Sequence, residues 1–395
     1  MDLIFATNAR FTKTPDGKIY GYHTALNRKT FEHYLLKFDN IKIIARVERH
    51  KDEVLDDSIR VDSDRISILE VPYFIGPSQY LKKAKAVRSA IRSFISNDDA
   101  LICRVPGTLG RIAAYEAMKI KRKYGVEVAA DPYDVFAPGS FKHPLRRFLR
   151  IIGTYQLRKV VKNASAAIYV TKYQLQKRYP VSSGIFQTYA SNVILKSEFL
   201  AHAPKSFTKK TIYDLISVGS LDQLYKAPDV LIQAVEIINN KGLDFKVRLT
   251  FLGSGKYRNS LISAKNSGSS SDLIDFPGAV KPFSKVVEYL DNADLFLLVS
   301  RTEGLPRALV EGMGRGLPAI GTLIGGIPEL LEERVLVPIN NPTEVANKVI
   351  SILQSPDLYN KLAERNLEFS KDFVWDKLNE RRFRFYDEVI NFKSN

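Results

Sequence analysis

The stretch SRTEGLPRALVEGMGRGLPAIG at residues 300–321 decides the fold of the second half of this chain. It follows the apolar run 295–299, and its loop with glycine and proline leads into polar and apolar residues at helical spacing. This pattern predicts a strand, a loop and a helix. Pro306 suits the first helical turn, and the free N–H groups from Gly304 to Arg307 are expected to face the carboxyl end of the strand. An anion is stabilised at such a position.

Two carboxylates lie within this motif. Glu303 comes just before the predicted helix, and Glu311 lies two turns along it. At 1.5 Å per residue the two positions are roughly 12 Å apart, so one compact ligand group does not reach both. A nucleotide sugar reaches both, because it has hydroxyls at its two ends and a diphosphate between them.

Three motifs together resemble those of the retaining glycosyltransferases of family 4, which have the B-type (GT-B) fold. They are the Glu303-x7-Glu311 pair, GGIPEL at 325–330, and VGSLDQLYKAPDVLIQA at 218–234, and the resemblance is strong over 212–331. It implies that Glu303 contacts the sugar of a nucleoside diphosphate sugar, Glu311 its ribose and Lys226 its diphosphate. It also implies a wider set of donor-binding residues, which comprises Gly21, Gly219, Ser220, Gly253, Gly304, Leu305, Pro306 and Arg307.

Two features depart from the family pattern. Many members of the family have an arginine where this chain has Ser220, so a second cation for the diphosphate has to come from elsewhere; Arg307 and Arg301 are both candidates. Many members also have paired glycines after the first strand, whereas we expect a longer loop here, at 8–20. Gly21 is then expected to open the following helix and let backbone approach the diphosphate, or else to be a simple turn glycine.

Acceptor-binding residues are expected in the first half. Asp131 and Asp134 follow a predicted strand, and either can orient or deprotonate the incoming hydroxyl; capping and turn formation around Pro132 is the alternative role. Arg104 also ends a predicted strand, so it is a candidate for binding an acceptor phosphate or an ordinary surface arginine. The candidate catalytic residues are therefore Glu303, Lys226 and Asp134.

Short apolar runs alternate with helical patterns along the whole chain. The predicted strands are at 3–6, 41–47, 66–71, 101–103, 126–130, 166–170, 215–218, 247–252, 273–276, 295–299, 318–320 and 335–337. This alternation predicts an α/β protein with two doubly wound, Rossmann-like domains that face each other across a cleft. The resemblance to the family implies an acceptor domain at 1–203, a donor domain at 204–372, and a carboxy-terminal helix at 373–395 that crosses back onto the first domain. The polar stretch 201–211 is the expected linker.

The net charge of +16 is concentrated in residues 1–200, which contain 34 Lys and Arg but only 19 Asp and Glu. No acidic residue occurs between Asp134 and Glu198, and cations interleave with apolar residues over 142–162. This segment predicts a basic amphipathic helix that lies on an anionic membrane surface. The alternative is a solvated helix whose apolar side belongs to the core. No nucleic-acid-binding module accompanies the charge, so we expect no nucleic acid partner.

Other sites and segments are not expected. No apolar run approaches 18 residues, and no basic segment precedes the short apolar run at the start, so neither a transmembrane helix nor a signal peptide is predicted. Cys103 is expected to be a buried strand thiol. The five histidines have no metal-ligand spacing, and Asp62-Ser-Asp64 precedes an apolar run instead of ending one, so we predict no metal and no cofactor beyond the nucleotide-sugar co-substrate.

The sequence thus predicts a metal-independent retaining glycosyltransferase at the cytoplasmic face of a membrane. It would transfer a sugar from a nucleoside diphosphate to a growing glycan, with a lipid-linked glycan as the favoured acceptor. Two alternatives are a nucleotide-sugar epimerase on the same fold and a noncatalytic basic binding protein with a degenerate donor domain. The absence of acids from the basic segment favours transfer over epimerisation, and the intact set of Glu303, Glu311 and Lys226 argues against degeneration.

Overall fold

A computed structural model describes residues 1–22, 27–50, 55–96, 98–136 and 145–393. The chain forms two compact units. The first contains Met1–Val135, Arg147–Ala190 and the residues from Asn379 onward, and the second contains Ser191–Leu378. No helix of the described residues is both long and apolar enough to cross a membrane.

The first unit is built on a sheet whose strands, except one, run parallel. The strands are β1 (Leu3–Lys13), β2 (Ile19–Gly21), β3 (Ile41–Arg49), β4 (Ile66–Val71), β5 (Ala100–Val105), β6 (Gly125–Val128), β7 (Ala166–Tyr169) and β8 (Phe186–Tyr189). Their order is β4-β3-β1-β5-β6-β7-β8, with β2 antiparallel to β1. The six strands predicted in this half are confirmed, whereas β2 and β8 were not predicted.

The prediction of a loop at 8–20 is wrong. A register shift between Ala6 and Arg10 lets β1 continue along β3 as far as Lys13, and the chain then turns back into β2. Because this irregularity adds residues to β1 without ending its pairing, the alternating pattern is interrupted while the strand continues. Gly21 ends β2 and pairs with Phe11, so it does not open a helix.

Helices cover the sheet of the first unit. They are α1 (Glu32–Leu35), α2 (Gly76–Phe94), α3 (Thr108–Lys119), α4 (Pro132–Val135), α5 (Arg146–Lys162) and α6 (Gln174–Arg178). The helical pattern at 22–38 yields only α1 and a 3₁₀ turn at Arg28–Thr30 within the described residues. Thr30 Oγ1 accepts a hydrogen bond from the Asn27 backbone N–H at 3.3 Å. This hydrogen bond between a side chain and the backbone caps the start of the 3₁₀ turn.

The second unit has one fully parallel sheet. Its strands are β9 (Ile212–Val218), β10 (Lys246–Leu252), β11 (Ile274–Gly278), β12 (Leu295–Leu298), β13 (Ala319–Thr322) and β14 (Leu336–Val337). All six were predicted. Their order is β11-β10-β9-β12-β13-β14, so the direction of winding reverses between β9 and β12. Ligands of open parallel sheets bind beyond the carboxyl ends of the strands at such a switch point.

Helices flank this second sheet as well. They are α7 (Pro228–Asn239), α8 (Arg258–Asn266), α9 (Phe283–Asn292), α10 (Arg307–Gly314), α11 (Ile327–Leu330), α12 (Pro342–Leu353) and α13 (Pro356–Ser370). The segment 201–211 has neither helix nor strand and belongs to the second unit. The last helix, α14 (Trp375–Ile390), contributes Phe385 and Val389 to the first unit, where both side chains lie against Gly125 of β6.

Candidate functional site

Two loops meet at the switch point of the second unit. One follows β9 and contains the 3₁₀ turn Leu224–Lys226, and the other follows β12 and leads through Glu303 to α10. The ammonium of Lys226 forms an ion pair with Glu303 Oε1, although 77 residues separate the two. The side chains are only 10% and 9% exposed, so both charges lie largely out of water. The fold thus brings together the two residues that the sequence assigned to the diphosphate and the sugar.

The Glu303 carboxylate is held from behind by β12 and β13. The Ser300 hydroxyl donates a hydrogen bond to Glu303 Oε1 at 2.8 Å. Ser300 is itself fully buried, and its backbone carbonyl accepts a hydrogen bond from Thr322 Oγ1 at 2.7 Å. These contacts fix the position of the carboxylate before any ligand binds.

Glycines let the Lys226 side chain lie close to the strand ends. A Cβ at Gly219 would lie 2.9 Å from Lys226 Cγ, so the lysine stem covers this residue. A Cβ at Gly253 would lie 1.8 Å from the Gly219 carbonyl oxygen, and Gly253 has a φ of 156°. Any side chain at these two positions would therefore displace the loop that carries Lys226.

Arg301 holds the turn that presents Lys226. Its guanidinium bonds both carboxylate oxygens of Asp229 at 2.9 and 2.6 Å, and its Nε donates to Asn340 Oδ1 at 2.6 Å. The same guanidinium donates to the Leu224 carbonyl at 2.5 Å, while the Arg301 backbone N–H donates to the Tyr225 carbonyl at 2.7 Å. Of the two arginines proposed to replace the missing one, Arg301 is thus engaged within the protein.

Strain in the backbone follows this turn directly. Ala227 is fully buried and adopts the left-handed conformation, with φ 51° and ψ 47°. This conformation costs a residue with a Cβ about 1 kcal/mol. It is stable only where the surroundings fix it, and the bonds from Arg301 to the preceding turn do so.

The start of α10 lies beside this pair. Pro306 occupies the N-cap position, one residue before the helical position predicted, and no side chain caps the first turn. Gly304 and Arg307 are exposed, and Arg307 has no ion pair within the described part of the chain. Ser220 is also exposed and donates to Asp222 Oδ2 at 3.0 Å. The helix start and Arg307 are therefore accessible to an anion.

Glu311 lies on α10 without a hydrogen-bonding partner among the described residues. Burial raises the pKa of its carboxyl group to about 7, and the positive charge of Arg307 opposes this shift only partly. A carboxyl group with such a pKa exchanges its proton near neutral pH, so it can donate or accept a hydrogen bond.

Gly325 and Gly326 pack against the backbone of Glu303 and Gly304, a role that was not predicted from the sequence. A Cβ at Gly325 would lie 2.0 Å from the Glu303 carbonyl oxygen, and Gly325 has a φ of 54°. The Gly326 N–H donates to the Gly304 carbonyl at 2.9 Å. The paired glycines after β13 were the available signal, because a close approach of two backbones requires them.

The predicted acceptor residues Asp131 and Asp134 lie together in the first unit. Both form ion pairs with Arg178, and the distance from Asp134 Oδ1 to Arg178 Nη1 is 3.2 Å. Asp131 also accepts hydrogen bonds from the Tyr179 hydroxyl and from the Tyr133 backbone N–H, so it caps α4 as well. Burial, reinforced by the charge of Asp131, raises the pKa of Asp134.

Arg104, the third predicted acceptor residue, is engaged at the end of β5. Its guanidinium lies 3.3 Å from the Glu127 carboxylate on β6, and Glu127 also accepts a hydrogen bond from the Tyr34 hydroxyl at 2.8 Å. Cys103 beside it is buried. Over the ranges that the structure describes, no group of three or more His, Cys, Asp or Glu residues could hold a metal ion. Lys142 and His143 lie outside these ranges.

The arrangement in the second unit can hold an elongated anionic ligand. Lys226, the start of α10 and Arg307 supply positive charge beyond the carboxyl ends of β9 and β12. Glu303 and Glu311 supply carboxyl groups eight residues apart that can bind hydroxyls. These cationic and carboxyl groups together suit a ligand that has negative charge in its middle and hydroxyls at its ends.

Comparisons with known proteins agree with this geometry. Residues 213–355 match the family model "Glycosyl transferases group 1". Protein CapJ of Staphylococcus aureus is 27% identical over 396 residues, which cover 100% of this chain and 96% of CapJ. The putative colanic acid biosynthesis glycosyltransferase WcaL of Escherichia coli K12 is 35% identical over 153 residues, or 36% of this chain and 37% of WcaL.

A solved structure shows the fold. The crystal structure of Anabaena HepE in complex with UDP superposes with a TM-score of 0.66 over 98% of this chain and 100% of HepE, at 15% sequence identity. The predicted α/β class with two Rossmann-like domains of the GT-B type is thereby confirmed.

The raised pKa of Glu311 predicts a pH dependence of stability. Between pH 4.5 and about 7 the folded protein binds a proton at this carboxyl group that the unfolded chain has released. The free energy of unfolding should therefore fall as pH rises through this interval, by on the order of 3 kcal/mol for this group. Glu311→Gln should remove that part of the slope in urea denaturation at a series of pH values.

The matched control is Glu288→Gln, which changes an exposed glutamate of the same unit. It should keep the wild-type slope. An identical pH slope in Glu311→Gln and wild type would show that Glu311 titrates as an exposed carboxylate does.

Proposed function

We propose that this chain, whose residues 213–355 match the group 1 glycosyltransferase model, transfers a sugar from a nucleoside diphosphate sugar to a glycan acceptor with retention of configuration. The observation that carries the proposal is the buried contact between Lys226 and Glu303 at the switch point of the second sheet. Its cation and its carboxylate suit adjacent parts of one ligand, the diphosphate and the sugar.

The donor lies with its diphosphate between Lys226 and the start of α10. Lys226 contributes a point charge, and the uncapped helix contributes oriented N–H groups and the positive end of its dipole. Arg307 is the second cation in place of the arginine missing at Ser220, because Arg301 is bound to Asp229. The binding of UDP by Anabaena HepE, which has the same fold, supports a nucleoside diphosphate in this position.

The two glutamates bind the ends of the donor. Glu303 accepts hydrogen bonds from sugar hydroxyls, and Glu311 binds the ribose hydroxyls. The half-buried position of Glu311 suits this role, because its carboxyl group has no other hydrogen-bonding partner among the described residues and gains one when the ribose binds.

Charge stabilisation is the chemical contribution of these residues. When the bond between the sugar and the diphosphate breaks, the sugar becomes cation-like and negative charge grows on the leaving diphosphate. Lys226, Arg307 and the dipole of α10 stabilise that growing charge without a metal ion, since the fold already fixes the ammonium of Lys226 and the start of α10. Glu303 faces the positive sugar. When the ligand binds, the ion pair between Lys226 and Glu303 is therefore replaced by two contacts, one from Lys226 to the diphosphate and one from Glu303 to the sugar.

The acceptor hydroxyl is placed by the first unit. Asp134 is the group that orients it, and burial together with the charge of Asp131 raises the pKa of its carboxyl group. The ion pairs of Asp131 and Asp134 with Arg178 fix the position of the carboxylates. Arg104 lies at the end of β5 and binds an acceptor phosphate only if its pair with Glu127 opens.

We propose a polysaccharide as the product and a lipid-linked glycan as the acceptor. The similarity to WcaL, which is named for colanic acid biosynthesis, supports the first part. The surface of α5 supports the second, because Phe148, Ile151 and Tyr155 are 60%, 69% and 67% exposed. An ordinary core helix buries such residues, as α5 does only toward its end with Leu157, Val160 and Val161.

We propose that this exposed face of α5 attaches the enzyme to the inner, cytoplasmic side of a membrane. Arginines flank the apolar side chains, and such a combination binds anionic lipid surfaces. The proposal concerns the described part of the basic segment, from Leu145 to Lys162.

Turnover should depend on the central ion pair. Glu303→Gln and Lys226→Met are each expected to lower kcat at least about 100-fold, because each removes a charge that acts on the transition state. Nucleoside diphosphate release from a panel of UDP-, GDP-, ADP- and dTDP-sugars, with lipid-linked glycans as acceptors, measures this. Each change also leaves a buried unpaired charge and costs roughly 3 kcal/mol of stability, so circular dichroism must show each variant folded at the assay temperature.

The control variants Lys361→Met and Glu364→Gln alter exposed charges on α13 and should turn over as the wild type does. Wild-type turnover in Glu303→Gln or Lys226→Met would remove the role assigned to that residue. Donor binding without turnover on any acceptor would support a noncatalytic binding protein, and an epimerised donor sugar would support an epimerase.

Membrane binding should depend on the exposed face of α5. Phe148→Ser is expected to reduce cosedimentation with phosphatidylglycerol vesicles at physiological salt, because it removes an apolar side chain that enters the lipid surface. Leu81→Ser is the matched control, since Leu81 is 73% exposed on α2. Wild-type protein that stays in the supernatant would contradict attachment through α5.

A further inference from the structure

A second concave site lies in the first unit, among α4, which follows β6, α5, and α6, which follows β7. It has a volume of about 760 Å³. Its lining combines arginines with aromatic and aliphatic side chains, namely Tyr133, Arg147, Arg150, Ile151, Thr154, Tyr155, Arg158 and Arg178. We refer to these residues as the arginine pocket. The segments that follow the strands of an open parallel sheet are where its ligands bind.

The arginine pocket has an excess of positive charge. Arg178 pairs with Asp131 and Asp134, whereas Arg147, Arg150 and Arg158 form no ion pair within the described residues, so four guanidinium groups are accompanied by two carboxylates. Three guanidinium groups around one concavity repel one another, and an anion relieves that repulsion. Guanidinium groups bind phosphate oxygens in pairs, so phosphate is the anion that fits them best.

Tyr133 fixes the orientation of two of these arginines. The guanidinium carbons of Arg150 and Arg178 lie 3.4 and 4.2 Å from the centre of its ring. Arg150 Nε donates to the Tyr133 carbonyl at 2.8 Å, and Arg158 Nε donates to the Arg178 carbonyl at 3.0 Å. These bonds engage only the Nε atoms of Arg150 and Arg158, and the terminal nitrogens are left for a ligand. The groups are thus oriented in advance, which lowers the entropy cost of binding.

Apolar residues continue from the same pocket. Ile151 and Tyr155 line it and are also largely exposed, and Phe148 lies on the same helix. A phosphate in the arginine pocket would therefore have an apolar surface directly beside it. A free phosphate or a water-soluble sugar phosphate makes no use of that surface, whereas a phosphate attached to a lipid does.

We propose that the arginine pocket binds the phosphate or diphosphate group of a lipid-linked acceptor, with the lipid chain along Ile151 and Tyr155. This inference rests on the proposed function and names the chemistry of its acceptor: a glycan carried on a lipid through phosphate. The basic segment then recognises one particular anionic lipid and is more than a general membrane contact.

The test is calorimetric titration of the full chain with farnesyl diphosphate, a soluble lipid diphosphate. Arg147→Gln should weaken binding about tenfold, because one charge-assisted contact to phosphate is lost. Arg147 has no partner among the described residues, so this change breaks no internal contact. The double variant Arg147→Gln/Arg158→Gln should bind more weakly still, and the control Lys177→Gln, which removes an exposed charge next to Arg178, should stay within about twofold of wild type.

Further arms separate the possible phosphate sources. Inorganic pyrophosphate should bind at least about tenfold more weakly than farnesyl diphosphate if the lipid chain adds apolar contact. Equal affinity for the two would overturn the lipid part of the proposal. A different result would overturn it in favour of a site for bulk lipid headgroups: binding to phosphatidylglycerol vesicles that is lost in Arg147→Gln, with no binding of farnesyl diphosphate.

The variant Lys226→Met distinguishes the proposed donor site from the arginine pocket. It should lose binding of the nucleoside diphosphate and keep binding of farnesyl diphosphate. Wild-type protein that binds a nucleoside diphosphate but no farnesyl diphosphate would overturn this inference and leave the glycosyltransferase proposal standing. Binding of farnesyl diphosphate without any nucleoside diphosphate would support the arginine pocket and contradict the proposed function.

Discussion

The buried contact between Lys226 and Glu303 is the interaction on which the candidate site of the second unit depends. Two opposite charges that are about nine-tenths removed from water lose hydration free energy, and their attraction offsets this only in a well-fixed geometry. The surrounding residues supply that geometry. Ser300 donates to the carboxylate, Gly219 lets the lysine stem lie flat, and Gly325 lets the backbone behind Glu303 close up. A site built in this way is charged and oriented before any ligand binds, which is the condition for efficient stabilisation of a transition state.

Arg301 connects this pair to the rest of the unit. It joins the loop after β12 to Asp229 at the start of α7 and to the carbonyls of the turn that carries Lys226. From the sequence, Arg301 and Arg307 were equal candidates for the missing phosphate-binding cation, because both flank the same motif. The partner that separates them is 72 residues away in the chain, so local sequence patterns contain no information about it. The structure assigns Arg301 to positioning and leaves Arg307 exposed.

The strands of both sheets were predictable, because buried parallel strands read as short apolar runs between helices. The motif at 300–321 was recognisable for a similar reason, since its residues lie close together in the sequence. The extension of β1 beyond Asn8 was not, because the irregularity between Ala6 and Arg10 interrupts the alternation while pairing with β3 continues. The exposure of Phe148 and Ile151 was not decided either, since helical periodicity is the same for a face that meets a core and a face that meets a lipid. Only the packed structure distinguishes the two.

The central claim is that Arg301 and Asp229 hold Lys226 in place for the diphosphate. It is tested most directly by calorimetric affinities of the preferred nucleoside diphosphate and its parent nucleoside for Asp229→Asn. Among the described residues Asp229 has no hydrogen bond or ion pair with Lys226 or Glu303, and Asp244→Asn, which breaks an exposed ion pair in the same unit, is the control. The account predicts that Asp229→Asn weakens diphosphate binding roughly fivefold and leaves nucleoside binding unchanged, because only the cation is displaced. Wild-type affinity for the diphosphate in Asp229→Asn would contradict it.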